Sequence, residues 1–112
     1  MALANRDAAV FSRVIQATRQ HDRRRFATAL RAATDVPFSV FRHARRLRAA
    51  GTMARQAIHP KFQSDLRCAM ALADAAGAGA KTLVMTNLAW LRDPRYTRQM
   101  KRRLAAADRN GR

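Results

Sequence analysis

Glutamate is absent from this chain, and cysteine, tryptophan and tyrosine each occur once. The lone Cys68 rules out an intramolecular disulfide and with it a secreted disulfide scaffold. Three prolines and four glycines in 112 residues are too few for a low-complexity linker, so nothing in the composition divides the chain into independent domains. An Arg or Asp interrupts every apolar stretch before it reaches the ~18 to 20 consecutive residues a membrane span requires, and no transmembrane span is expected. Besides Trp90 and Tyr96 there are five Phe, mostly at core-type positions. Base stacking is therefore a minor resource, and any RNA contact is expected to go through phosphates.

Convergent chemistry is also missing. No Ser, Cys, His and Asp stand at a nucleophile–base spacing, and no Cys-x-x-Cys or His-x3-His pair offers a zinc site. Gly77-Ala78-Gly79 lacks the strand and the further glycine of a dinucleotide fingerprint and reads as a helix break. Cys68 falls among apolar neighbours and is expected to be a buried, inert thiol. The expectation is a protein that is not an enzyme, with no metal and no cofactor of its own.

What is present in excess is positive charge. There are 23 Lys and Arg against 7 Asp, a net charge of +16. Only Lys61, Lys81 and Lys101 are lysines; every other cation is Arg, whose planar fork matches phosphate and carboxylate. GC-rich coding would enrich Arg and Ala in the same way. A charge this large exceeds what solubility needs, so an acidic partner or a polyanion is expected.

Apolar residues recur at helical spacing and the alternation of strands is missing, which predicts an all-α protein. A first helix is expected over about 5–20 with Val10, Phe11, Val14, Ile15 and Thr18 as its stripe, followed by the charged run His21 to Arg25. Residues 1–25 also resemble a mitochondrial targeting segment. Asp35 reads as an N-cap with Pro37 in the first turn and Gly51 as the stop. A connector over 52–61 precedes a helix from Phe62 that ends at Gly77 and Gly79. Lys81 to Leu91, the most apolar run, is expected to be the most buried element. Asp93 can cap a last helix in which Tyr96, Met100 and Leu104 face inward, and a polar tail follows from Asp108 to Arg112. Three segments result: an N-terminal amphipathic basic helix (1–34), a small three-helix core (35–92) and a basic C-terminal helix with its tail (93–112).

Val40-Phe41-Arg42, with Arg46 four residues on, is similar to the Leu-Tyr-Arg signature of the LYR-motif family of small basic mitochondrial proteins. Leu66-Arg67-Cys68-Ala69-Met70 and the run from Lys81-Thr82-Leu83-Val84 to Leu91-Arg92 resemble that family's second and third helices, so the resemblance covers roughly 36–92. It implies a three-helix fold in the mitochondrial matrix or on the matrix side of the inner membrane. Arg42, Arg45 and Arg46 would bind an acidic acyl carrier protein, and Phe41, Leu66, Met70, Leu83 and Leu88 would line the space for the partner's acyl-phosphopantetheine. The same five apolar residues also suit an ordinary core. The functional expectation is a non-enzymatic accessory or assembly subunit of a large mitochondrial complex, respiratory or ribosomal. The alternative is a mitochondrial ribosomal protein or assembly factor that binds rRNA through Arg95, Arg98, Lys101, Arg102 and Arg103.

Overall fold

Asp22, rather than Asp35, opens the longest helix. Its Oδ1 accepts from the Arg25 backbone N–H at 3.2 Å, and its carbonyl accepts from the Phe26 N–H. The computed structural model describes residues 2–19 and 22–110, with side chains placed for 8–16 and 22–110. Thr18, His21 and Arg112, which figure in the sequence reading, have side chains outside the described set. The elements are α1 (Ala2–Arg19), α2 (Arg23–Ala54), a 3-10 turn (Pro60–Phe62), α3 (Gln63–Leu91) and α4 (Pro94–Asn110). The fold is all-α, with no strand among the described residues.

Neither the helix start expected at Asp35 and Pro37 nor the stops expected at Gly51, Gly77 and Gly79 occur. Pro37 lies inside α2 and is buried, although an interior proline forfeits one backbone hydrogen bond and costs about 3 kcal/mol in an isolated helix. Burial of Phe38, Phe41 and Ala44 on the same helix offsets that cost. A Cβ on Gly51 would meet Met70 Cγ at 3.0 Å, and one on Gly77 would meet Ala44 Cβ at 3.4 Å. These two glycines let α2 and α3 approach closely; they do not end helices. The chain stops α3 at Arg92 instead, which takes a left-handed conformation and returns its N–H to the Leu88 carbonyl. As expected, Asp93 caps α4, its Oδ1 accepting from the Tyr96 N–H at 3.1 Å.

The core is formed by Phe38 and Phe41 of α2, Ala80, Val84 and Leu88 of α3, and Met100, Leu104 and Ala107 of α4, with Tyr96 against its edge. The stripe predicted for α4 thus faces inward. Lys81 to Leu91 is not the most buried run: Leu83 and Trp90 are 58% and 69% exposed. Because α3 is continuous, one helix within Pro60–Leu91 is long and apolar enough, by length and composition alone, to cross a membrane. The sequence reading missed it by breaking the helix at Gly77. Here α3 packs along α2, yet only 22% of that apolar window is buried within the chain.

The molecule is thin. Its Cα extents are 60 × 40 × 14 Å and its radius of gyration is 18.3 Å, against ~13 Å for a compact domain of about 100 residues. At 8–10 Å between helix axes, it is no more than two helices deep. The helix α4 packs against one side of the α2–α3 pair, and α1 packs against the start of α2.

Candidate anion-binding site

Residues four apart on a helix share a face, so Phe38, Arg42 and Arg46 stand in a row along α2. Folding α4 back against this row brings Arg103 over the Phe38 ring, its Cζ 4.2 Å from the ring centroid; Arg42 Cζ lies 5.9 Å from the same ring. The three arginines, with Phe38, Ala106, Ala107 and Asn110, line a cleft of about 270 Å³. Phe38 itself is only 5% exposed, so the floor is fixed by the core while the guanidinium groups stay open to solvent. A guanidinium stacked on an aromatic face keeps its N–H fork free for a planar anion.

Among the described residues, no carboxylate forms an ion pair with the three guanidinium groups of this cleft. Among the described residues, Asp22 pairs with Arg25, Asp93 with Arg31, Asp74 with Arg45 and Arg48, and Asp108 with Arg45. Arg42, Arg46 and Arg103 have no carboxylate partner among them. Three guanidinium groups from two helices line one small volume, a geometry suited to charge-assisted, bidentate hydrogen bonds to carboxylate or phosphate.

Arg45 does not belong to this group. It turns inward between the helices, with Nε 2.8 Å from Asp108 Oδ1 and Nη1 3.9 Å from Asp74 Oδ1, and its guanidinium lies 5.0 Å over Phe41. Its Nε–H is buried and not aimed along the line to Asp108, so that contact is an ion pair rather than a hydrogen bond. Arg48 completes the link, donating to Asp74 at 2.7 Å. Arg45 and Arg48 tie α2 to α3, and Arg45 also ties it to α4.

The five apolar residues expected to line an acyl site do not surround one space. Phe41 and Leu88 belong to the core against α4. Leu66 and Met70 line a shallow groove beside Gly51 and Leu47, and Leu83 is exposed. Of the five C-terminal cations, all exposed, Arg103 joins the α2 cleft, Lys101 lies with Lys81 and Met85 beside α3, and Arg95, Arg98 and Arg102 complete α4's solvent side. Cys68 is exposed, contrary to the buried thiol expected. No group of three His, Cys, Asp or Glu able to hold a metal occurs among the described residues. Reasoning from sequence separated Arg103 from Arg42 and Arg46 because Arg103 follows Arg46 by 57 positions and only the return of α4 joins them. The local signal was Phe38 one turn before Arg42.

A family model described as formiminotransferase-cyclodeaminase matches residues 1–106. No curated protein and no solved structure matches. The family match overturns the LYR-motif resemblance, and the structure supplies the reason: the segments likened to a second and a third helix, 66–70 and 81–92, lie in or at the end of the single helix α3. The role as accessory or assembly subunit of a respiratory complex or mitoribosome falls with the resemblance. So do the acyl carrier and rRNA readings, which nothing supports. The matching domain is a domain of an enzyme.

Proposed function

The chain belongs to the formiminotransferase-cyclodeaminase family, and from that premise we propose that it binds the anionic part of a folate-type molecule in the cleft between α2 and α4. The family's description names the transfer of a formimino group and a ring closure with loss of ammonia, and the domain is folate-related. A folate-type molecule pairs a flat ring system with a carboxylate-bearing tail. Arginine forks suit the tail, and the Phe38 platform suits a flat group beside it. The observation that carries the proposal is the convergence of Arg42, Arg46 and Arg103 on one cleft without an acidic partner.

On this reading the chain binds and orients, and supplies no acid or base to the reacting atoms. His43 Nδ1 donates to the Ser39 carbonyl at 2.7 Å along its own helix, and His59 caps the 3-10 turn through the Lys61 N–H. Neither lines the cleft. Asp108, in contact with Arg45, is engaged in holding the helices together.

Calorimetric titration of the full chain with folinic acid tests the assignment. Saturable binding is expected, weakened at least about tenfold in Arg42→Ala/Arg46→Ala, since each lost charge-assisted bond is worth ~1.5–3 kcal/mol. The circular dichroism of that variant should be unchanged, because both side chains are exposed. Equal weakening in the control Arg95→Ala/Arg98→Ala would show that affinity follows total charge and not the cleft, and the proposal would fail.

A further inference from the structure

The outward side of α4 carries a ridge of positive charge that the cleft does not use. Arg95, Arg98, Arg102 and Arg109 recur at intervals of three, four and seven residues, which sets them on one face of the helix. That face lies opposite the buried Met100, Leu104 and Ala107, and all four arginines are exposed. From Arg95 to Ala107 the helix contains no acidic residue. The carboxylates at its two ends are engaged elsewhere, Asp93 with the cap and Arg31, Asp108 with Arg45. Among the described residues, no carboxylate forms an ion pair with the ridge. Like charges three or four residues apart destabilise a helix, and a cation in the first turn, where Arg95 stands, opposes the helix dipole. Surfaces that serve solubility intersperse both signs. This one costs the isolated chain stability, and an anionic surface would offset that cost.

We infer that this ridge docks the chain on a bilayer surface that bears anionic phospholipid. Charge calls for a polyanion, and shape selects which one. The molecule is 14 Å thin against 60 × 40 Å, and α4 lies along one broad side of it. The helix is flanked rather than projecting. Arg42 and Arg103 line the cleft on its α2 side, and Lys81 and Lys101 line a second cleft of about 260 Å³ on its α3 side. The cations therefore spread over three helices as one broad face. A plane accepts such a face, whereas a DNA major groove, ~12 Å wide and ~8.5 Å deep, admits a helix that stands clear of its neighbours. No aromatic side chain stands among the ridge arginines to stack on bases. Nor does the ridge offer a large apolar side chain to enter the acyl region, so the contact is with headgroups. Arginine forks match the lipid phosphates, and each cation held within a Debye length of the leaflet raises affinity roughly fivefold. The docking is independent of what the cleft holds.

Co-sedimentation of the full chain with vesicles is the test. Binding is expected to vesicles of phosphatidylglycerol with phosphatidylcholine, is expected to be absent on phosphatidylcholine alone, and should fall steeply as salt is raised. Arg98→Glu/Arg102→Glu removes two cations from the ridge and adds two like charges, and should weaken binding at least about twentyfold. Arg23→Glu/Arg24→Glu has the same net charge but sits at the start of α2, before Arg31 meets Asp93. It should weaken binding by less than about threefold. Helical circular dichroism should persist in both variants, because all four side chains are exposed. Equal weakening in the two variants would assign the binding to net charge and overturn the inference, as would equal binding to phosphatidylcholine alone or a chain that stays in the supernatant throughout. A chain that ignores the vesicles and binds duplex RNA through Arg98 and Arg102 would assign the ridge to nucleic acid and overturn it too.

Discussion

Tyr96 is a phenol held where its ionised form is disfavoured. Burial at the edge of the core raises its pKa above the usual value and the nearby Asp35 raises it further, while Arg103 and Arg31 pull it back by less. The Arg31 guanidinium lies 5.7 Å over the ring. The unfolded chain therefore releases this proton at lower pH than the folded one does. Stability is unaffected below about pH 10 and declines as pH rises through the unfolded value towards the folded one. Tyr96→Phe should flatten that decline in urea melts taken from neutral to strongly alkaline pH, leaving neutral stability nearly unchanged because the phenyl ring still packs. Single residues were unevenly legible. Asp93 stands before a proline and a clean apolar stripe, and its cap was readable. Asp22 was hidden among the arginines of 23–25, and Asp35-x-Pro37 resembled a helix start more than Asp22 did, although its surroundings keep the helix running.

Helix type was legible throughout, because every apolar stripe has a period near four residues and none alternates. Helix ends were not. Glycine and proline act locally as breakers, but here Pro37, Gly51 and Gly77 are buried within helices that pack against one another, and packing outweighs propensity. Gly77 and Gly79 look alike in sequence and differ in surroundings: a Cβ at 77 touches Ala44, whereas at 79 it meets nothing within 4 Å. Gly79→Ala should therefore raise stability by about 0.8–1 kcal/mol through helix propensity. Gly77→Leu should lower it by about 1–3 kcal/mol by forcing α2 and α3 apart. Thermal melts of the two variants check both, and equal effects would contradict the close approach assigned to Gly77.

For the molecule as a whole, charge was the clearest signal in the sequence and the least informative about place. The excess of Arg announced an anionic partner, yet only the fold sorts the arginines by use. Arg31, Arg45 and Arg48 join helices through Asp93, Asp74 and Asp108. Arg42 and Arg103 are left over Phe38 with Arg46 lining the same cleft, while Val36, Leu47, Leu72 and Trp90 stay exposed on α2 and α3. The family was not legible from the Val40-Phe41-Arg42 triplet because its side chains serve three different surroundings: Val40 is exposed, Phe41 is in the core and Arg42 lines the cleft. Whether the cleft binds anions as a built site or the chain attracts them as a diffuse cation is answered by observing individual guanidinium groups. In an NMR titration with folinic acid that follows assigned arginine Nε–H signals, Arg42, Arg46 and Arg103 should shift together and saturate on one curve while Arg45 and Arg48 stay in place; small, unsaturable shifts spread over all the exposed arginines would contradict the account.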